Sequence, residues 1–351
     1  MNPKRTSTIR PACGIPTGKR ELSAERAPTP SVRLRRAVIA ARSGLQRYPR
    51  EIVASVREHK DCVRGRGRVG GWGDEENRGD RPSPFLLEER EDDVTAFWIG
   101  HATVLLRIGR INVLTDPVFS SRIGMSVGGV TFGLGRLRPP AADLHHLPRI
   151  DLVLLSHAHF DHLDRPSLRS LALGPARGAT VITAGHTRRL VPPGFGEVIE
   201  LPWEASTLVR DVAVRAFRPA HWGARTAIDR HRRFNAYLLE SPAGRVFFAG
   251  DSAATDAFDR VGPTDLSIFG IGGYDPWEGA HATPEQVWRM YTGMAHGRPH
   301  GRLLAVHHST FPLGREPVAE PMSRLLSAAA FNTGRVVGSV PGDGWRLSTP
   351  A

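Results

Sequence analysis

The stretch that decides the fold runs Asp151-Leu-Val-Leu-Leu-Ser-His-Ala-His-Phe-Asp-His-Leu-Asp164. Its first half is a nearly continuous apolar run, which is typical of a β-strand covered on both faces. Its second half places three histidines and two aspartates within the eight positions 157–164. Imidazole and carboxylate groups are good ligands for zinc and similar divalent ions. The sequence therefore predicts a metal site in a loop that directly follows a buried strand.

The spacing of these residues predicts how they divide between ions. Residues two apart in an extended segment point the same way, so His157 and His159 are expected to bind one ion together. Asp161 and His162 fall on the following turn, where they can face a second ion. A solvated histidine-rich turn is the alternative interpretation, and the hydrophobic strand in front of it argues against that alternative.

Three later segments repeat the same design, with a polar ligand at the end of a predicted strand. His221 follows the run 212–217, and His307 ends the run 303–307. Asp251 follows the run 245–249, and Gly250 between them allows a close backbone approach. Each signal is weak alone. Taken in order after the histidine-rich loop, they can complete two coordination spheres.

This ordered set resembles the ligands of the metallo-β-lactamase superfamily. The flanking segments resemble one branch of it, the N-acyl-phosphatidylethanolamine phospholipase D-like and lactonase-like hydrolases; they are residues 98–103, 114–120, 219–222, 247–251 and 273–276. The resemblance covers about residues 94–340. It implies an α/β fold, a four-layer αβ/βα sandwich with the metals at the edge where its two halves meet.

The resemblance also implies a role for each matching residue. The ligands expected for the first ion are His157, His159 and His221, those for the second are Asp161, His162 and His307, and Asp251 bridges the two. Zinc is favoured by this donor set, and iron or manganese fits the same cage. Asp161 and Asp251 are further expected to take part in catalysis, Asp161 by orienting the attacking water.

Several neighbouring residues have two open interpretations. His307 is favoured over the adjacent His308, which then lines the pocket or is a bystander. His281 matches a histidine that faces the substrate phosphate in the phospholipase D-like branch, and is therefore a catalytic candidate; the alternative is a solvated residue near a helix cap.

The same holds for four residues around the proposed ligands. Asp116 orients a metal-bound imidazole or is a turn aspartate before Pro117, and His101 has a structural or a catalytic role. Trp222 and Arg225 shape the pocket or serve packing.

The basic charge of the chain belongs to its first part. The 351 residues carry a formal net charge of +12, yet residues 1–70 hold 17 Lys and Arg against 5 Asp and Glu, which leaves 30 of each in the remainder. Residues 1–92 are predicted to be a basic Arg/Gly/Pro-rich extension, largely disordered, with short helices at 31–42 and 51–58. Residues 93–351 are predicted to form the hydrolase domain.

The charge distribution also bears on partners. The extension suits peripheral contact with a membrane or another anionic surface. The neutral remainder disfavours nucleic acid, because nucleic-acid grooves concentrate Lys and Arg. Two cysteines, Cys13 and Cys62, exclude a disulfide framework. No apolar run reaches the ~18 residues of a membrane span, so a transmembrane protein is not expected. No signal peptide is recognisable, so a cytoplasmic location is expected, with the membrane surface as a further location.

Hydrophobic patterning predicts a layered α/β body. We expect three antiparallel strands at 94–98, 102–107 and 111–115, and a hairpin turn at 241–244. Further strands are predicted at 151–156, 180–183, 197–201, 212–217, 234–240, 245–249, 266–271 and 303–307. Helices are predicted at 166–173, 284–294 and 318–331.

The function predicted from these observations is a dinuclear-metal hydrolase. The specific expectation is a phosphodiesterase of phospholipase D type acting on N-acyl-phosphatidylethanolamine-like lipids. The alternatives are a lactonase or other ester hydrolase on the same fold, and a nucleic-acid phosphodiesterase. A binding protein on a degenerate fold would have lost ligands, and here all seven positions are filled.

Overall fold

The computed structural model describes residues 94–127, 130–226, 229–294 and 301–347. In chain order the strands are β1 (Val94–Gly100), β2 (Thr103–Ile108), β3 (Ile111–Thr115), β4 (Arg122–Val127), β5 (Val130–Gly135), β6 (Leu152–Leu155), β7 (Thr180–Thr183), β8 (Val198–Glu200), β9 (Ser206–Val209), β10 (Val212–Phe217), β11 (Ala236–Ser241), β12 (Gly244–Phe248), β13 (Leu266–Gly270), β14 (Arg302–Val306), β15 (Val336–Val337) and β16 (Gly344–Arg346). The helices are α1 (Arg165–Leu173), α2 (Pro284–Met294) and α3 (Glu320–Ala329).

The strands form two seven-stranded mixed sheets and one separate hairpin. The first sheet has the order β16-β1-β2-β3-β6-β7-β8, and the second has the order β15-β14-β13-β12-β11-β10-β9. In each sheet one half is antiparallel and the other half is parallel. Strands β4 and β5 pair only with each other among the described residues.

Apolar side chains on one face of each sheet pack together, so the main core lies between the two sheets. Trp98 and Leu106 of the first sheet pack in one buried cluster with Tyr237 and Phe248 of the second. The opposite faces are covered by helices: Leu168 of α1 lies against the first sheet, while α2 and α3 lie against the second. The layers are therefore helix, sheet, sheet and helices, which confirms the predicted four-layer αβ/βα sandwich.

Local sequence explains where two of the helices begin. The Asp164 side chain accepts a hydrogen bond from the backbone N–H of Ser167, and Pro166 stands in the first turn of α1. At α2, Thr283 and Gln286 satisfy each other: the Gln286 Oε1 accepts from the Thr283 N–H at 2.9 Å, and Thr283 Oγ1 accepts from the Gln286 N–H at 3.4 Å. This reciprocal pair is a capping box.

Most predicted elements are confirmed with bounds shifted by one or two residues. The three-stranded meander is β1 to β3, and the turn between β11 and β12 is the predicted hairpin. The sequence patterns missed the β4–β5 hairpin and the strands β9, β15 and β16. These elements are short or lie at sheet edges, where one-sided burial leaves a weak hydrophobic pattern. The helices predicted at 31–42 and 51–58, and the extension as a whole, lie outside the described residues. Within the described ranges, no helix combines the length and apolarity that crossing a bilayer requires.

Candidate metal centre

The candidate site residues all follow strands that end at the same edge of the sandwich. In the first sheet, β1, β3 and β6 run in one direction, so His101, Asp116 and His157 emerge together. In the second sheet, β10, β12 and β14 share a direction, and His221, Asp251 and His307 follow their carboxyl ends. This edge is the one that the resemblance implied.

The first group of possible metal ligands consists of His157, His159, His221 and Asp251. The Nε2 of His157 lies 2.8 Å from Nδ1 of His159, and the Nε2 of His221 lies 3.4 Å from that same atom. Both Nε2 atoms lie 3.7 Å from Oδ2 of Asp251. This group coincides with the set expected for the first ion together with the bridging carboxylate.

The second group contains His101, Asp161, His162 and His307. The Nε2 atoms of His162 and His307 are 3.2 Å apart, and they lie 3.5 Å and 3.4 Å from Oδ2 of Asp161. Three members match the set expected for the second ion. The fourth, His101, has its Nε2 3.0 Å from Asp161 Oδ2.

Asp251 lies between the two groups. Its carboxylate is buried, and neither oxygen has a hydrogen-bond donor. Besides the contacts to the first group, Oδ2 lies 3.1 Å from Nε2 of His162, and Oδ1 lies 3.3 Å from Nε2 of His307. A buried carboxylate without donors is costly unless a cation balances it. Imidazole and carboxylate donors surround this position, and both are ligands that suit divalent metal ions.

Hydrogen bonds behind the imidazoles fix which nitrogen faces the centre. Asp116 Oδ2 lies 2.6 Å from Nδ1 of His162, and Ser156 Oγ lies 2.8 Å from Nδ1 of His157. The backbone carbonyl of Ala280 lies 3.0 Å from Nδ1 of His221. These partners hold a proton on Nδ1, so Nε2 is the nitrogen whose lone pair each ring, when neutral, presents to the centre.

The electrostatics of the centre favour positive charge there. Burial lowers the pKa of His157 and His221 well below the ordinary value. Burial also acts to lower the pKa of His162 and His307, but the carboxylates around them, Asp251 first, raise it well above its usual range for His162 and to about 9 for His307. Burial acts to raise the pKa of Asp251, and the His162 and His307 imidazoles outweigh it and hold that pKa well below normal.

His281 and His308 are placed differently by the structure. His281 lies in the site, with Nδ1 3.8 Å from Asp251 Oδ2 and a side chain that is 16% exposed. His308 turns away: its ring packs 4.8 Å from Trp98, and its Nδ1 lies 2.9 Å from Ser309 Oγ. The structure therefore brings His307, and not His308, into the cluster.

Arg225 braces the histidine-rich loop from behind. Its Nη1 donates to the carbonyls of Ala158 and Leu163 at 2.9 and 2.8 Å, and its guanidinium lies 3.9 Å from the centre of the Phe160 ring. Ala158 and Leu163 flank the segment that contains His159, Asp161 and His162. Its role in the structure is to hold the shape of this loop.

Trp222 borders a cavity of about 360 Å³ next to the centre. Its ring stacks on His221 at 4.5 Å and remains 42% exposed. The lining combines polar and apolar surface, with one cationic side chain; it consists of Arg218, Pro219, Ala220, His221, Trp222, Phe234, Thr255, Ala257 and Gly279. The cavity adjoins the metal-ligand candidates and offers space for a substrate.

From the sequence alone, the role of His101 stayed open between a structural and a catalytic one, and Ser156 was not identified as a partner of a metal-ligand candidate. His101 is fully buried, and burial together with nearby His307 lowers its pKa to about 3, so the ring is neutral. Its Nε2–H then donates to Asp161. The available signal was its position: like His157, it follows a strand whose carboxyl end reaches this edge. For Ser156 the signal was its place directly before the first ligand.

Known proteins similar to this chain include metal-dependent hydrolases, which agrees with the cluster of metal-ligand candidates described above. Residues 111–308 match the family described as the β-lactamase superfamily domain. The chain is 32% identical over 267 residues to an uncharacterised protein of Mycobacterium tuberculosis, covering 74% of this chain and 70% of that protein. The chain belongs to the β-lactamase superfamily. Its class is that of the metal-dependent hydrolases with the metallo-β-lactamase fold.

Two relatives and one solved structure illustrate the similarity. The N-acyl-phosphatidylethanolamine-hydrolyzing phospholipase D 1 of Caenorhabditis elegans is 28% identical, over 67% of this chain and 69% of its own. A metal-dependent hydrolase of Pyrobaculum islandicum is 24% identical, over 71% and 98%. The fold resembles that of Igni18, a metallo hydrolase of Ignicoccus hospitalis, with a TM-score of 0.55 and 16% identity over 74% of this chain and all of that one.

Proposed function

We propose that this protein is a dinuclear-metal phosphodiesterase of phospholipase D type that acts on N-acyl-phosphatidylethanolamine-like lipids, with the activity in residues 93–351. The observation that carries the metal-dependent part is Asp251, a buried carboxylate without donors that faces imidazoles from both groups. The lipid part is supported by the relative from Caenorhabditis elegans, whose name states that substrate.

The proposal assigns a ligand set to each ion. The first ion takes His157, His159 and His221, the second takes Asp161, His162 and His307, and Asp251 serves both. Zinc suits this donor set best, and iron or manganese is the alternative. Divalent ions held by these residues would supply Lewis-acid chemistry: they would lower the pKa of a bound water toward ~7 and stabilise the charge that develops on the bond under attack.

Three side chains around the ligands prepare the site. His101 donates to Asp161 Oδ2 and thereby fixes the carboxylate, which leaves Asp161 Oδ1 to orient an attacking water. Asp116 holds the proton of His162 on Nδ1. Burial lowers the pKa of His281 to about 4, so its neutral ring can donate one N–H to a phosphate oxygen of the substrate.

The cavity beside His221 supports an amphiphilic substrate. Trp222, Phe234 and Ala257 provide apolar contact, while Arg218 stands at the same wall. A phospholipid combines apolar chains with an anionic phosphodiester, so it matches both kinds of lining. A lactone or other neutral ester would use the apolar wall without the arginine.

The experiment measures metal content and turnover together. We expect two metal ions per chain by elemental analysis, and hydrolysis of a short-chain N-acyl-phosphatidylethanolamine that chelation abolishes and zinc restores. Asp251→Asn keeps the side-chain volume and removes the bridging charge; it is expected to lose both metal and activity. Asp256→Asn is the matched control, because Asp256 is exposed in the same loop and lies outside both groups.

The substrate arms decide between the alternatives. Turnover of a lactone without turnover of the phosphodiester would assign the runner-up ester hydrolase, and cleavage of RNA alone would assign a nucleic-acid phosphodiesterase. A chain that binds no metal, with no activity restored by any added ion, would refute the proposed mechanism.

A further inference from the structure

Exposed arginines gather on the same edge of the sandwich as the metal centre. They belong to three segments: residues 184–190 after β7, residues 218–222 after β10, and residues 229–235 before β11. We call them the basic patch, and its members are Arg188, Arg189, Arg218, Arg230 and Arg233, all exposed. The equal numbers of basic and acidic residues in 71–351 conceal this concentration, because charges distant in sequence meet only in the fold.

The basic patch is not neutralised by carboxylates. Nearby acidic side chains are already engaged: Asp229 pairs with Arg232 at 2.6 Å, and Glu204 pairs with both Arg215 and Arg260 at 3.2 and 3.0 Å. Glu200 accepts from two backbone N–H groups, those of residues 187 and 188, at 2.7 and 2.8 Å. Within the described part of the chain, no carboxylate lies within 4 Å of a basic-patch guanidinium.

Direct contacts hold the three segments together as one surface. The backbone N–H of Arg233 donates to the carbonyl of Gly185 at 3.0 Å, and the rings of His186 and His231 are 5.4 Å apart. The guanidinium groups of Arg218 and Arg233 each lie 4.7 Å from the ring of Trp203. These contacts hold the three segments side by side and place the guanidinium groups of Arg218 and Arg233 against one ring.

An exposed aromatic side chain and the active-site cavity adjoin this charge. Trp222 is 42% exposed and lines the cavity together with Arg218. Tryptophan at a bilayer surface places its apolar ring among the lipids and its N–H in the polar headgroup region. Arginine near an anionic bilayer contributes attraction that falls off within a Debye length. The basic patch and the Trp222 ring therefore lie together at the cavity through which a lipid would reach the metal centre.

We propose that the basic patch docks this protein on an anionic lipid bilayer, with Trp222 at the interface and the cavity beside His221 opening toward the lipid. This inference rests on the proposed function, since a lipid substrate gives the bilayer as partner. The apolar cavity wall within the patch favours a lipid surface over a nucleic acid, whose grooved binding sites pair basic side chains with a phosphate track. The docking surface is distinct from the basic extension of residues 1–92.

The test uses the full chain and a charge-matched pair of double variants. Arg189→Glu/Arg230→Glu reverses two charges of the patch, and Arg149→Glu/Arg177→Glu makes the same change at exposed arginines that precede β6 and β7, at the opposite edge. Binding is measured by co-sedimentation with vesicles of phosphatidylcholine mixed with phosphatidylglycerol, and with vesicles of phosphatidylcholine alone. Each arginine near an anionic surface contributes a factor of about five, so losing two weakens binding about 25-fold. The two glutamates add repulsion, so we expect binding at least about 25-fold weaker in the patch variant only.

Further readouts separate this inference from the proposed function. Turnover of a soluble short-chain phosphodiester should be unchanged in the patch variant, while turnover of the same headgroup in anionic vesicles falls with binding. Equal vesicle binding by both double variants would overturn the inference and leave the hydrolase intact. Loss of single-stranded RNA binding, with vesicle binding unchanged, would likewise overturn it in favour of nucleic acid. Absence of turnover with every substrate, with patch-dependent vesicle binding retained, would refute only the proposed function.

Discussion

Replacing Asp116 by Asn tests whether the hydrogen bonds behind the metal-ligand candidates control them. The buried Asp116 accepts three hydrogen bonds: from the Ser156 N–H at 2.7 Å, from Ser156 Oγ at 2.5 Å and from His162 Nδ1 at 2.6 Å. An amide has one accepting oxygen where the carboxylate has two. In one orientation its NH2 group faces the His162 Nδ1–H, and in the other it faces the backbone N–H of Ser156. Either orientation brings two donors together.

The magnitude follows from how His162 escapes this conflict. Moving its proton from Nδ1 to Nε2 lets Nδ1 accept from the new amide. The Nε2–H then points at Asp251 Oδ2, 3.1 Å away, and its lone pair is no longer free for an ion. Losing such a supporting partner typically lowers metal affinity 10–100-fold. That range corresponds to about 1.4–2.7 kcal/mol of binding free energy.

The assay is zinc affinity by competition with a chelating indicator, alongside denaturant unfolding in the presence of chelator. Asp164→Asn is the control, since Asp164 is also a buried carboxylate near the loop but bonds to Ser120 and caps α1. It should lose about 1 kcal/mol of stability and keep its zinc affinity. Unchanged zinc affinity in Asp116→Asn, or an equal loss in Asp164→Asn, would refute the reasoning.

Two further predictions concern the loop brace and the pairing of α2 with α3. Arg225→Met removes the donors to the carbonyls of Ala158 and Leu163, so we expect a loss of about 1–3 kcal/mol of stability and weaker zinc binding. Arg225→Lys keeps the charge but not the planar guanidinium, so it should recover little of either. Full recovery of stability and zinc binding in Arg225→Lys would contradict this argument from geometry. The Arg324 guanidinium, bonded to Glu285 through two contacts of 2.8 Å, lowers the pKa of Glu285. Because the pKa of Glu285 is depressed in the folded protein, its ionised carboxylate stabilises the fold above the unfolded pKa of about 4.3. This stabilisation is lost as the pH falls through the folded pKa. Glu285→Gln should therefore cost up to about 1 kcal/mol at pH 7, since both partners are partly exposed. The difference from the parent should shrink as the pH falls below the unfolded value of about 4.3 and Glu285 becomes protonated. Denaturant unfolding along this pH range measures the difference, and a difference that widens in acid would contradict the reasoning.

The central part of the fold could be predicted because it is recorded in local patterns. Buried strands such as β6 and β14 are short, mainly apolar runs, and α2 begins with its own capping pair. Edge strands gave no such signal. Strand β16, for example, is three residues long and pairs only with β1 among the described strands, so its sequence need not alternate.

The candidate ligands could be named because a ligand at a strand end leaves a trace in the chain. His157, His159 and Asp161 stand in one loop, and Asp251 follows a strand through a glycine. His101 also follows a strand, but a single histidine in that position does not show whether its ring faces the other ligand candidates. Its 3.0 Å contact with Asp161 depends on β1 lying parallel to β6, with two strands between them in the first sheet.

Sequence by itself determined the family, the layered α/β class and the chemistry of the donors, because residue type and strand period act over a few neighbouring positions. Only the tertiary structure decided what depends on distance between remote segments. It selected His307 over His308 by turning one ring toward Asp251 and the other toward Trp98. It also gathered Arg189, Arg218 and Arg233 on one edge, since charges that are averaged along a chain become local only when strands end side by side.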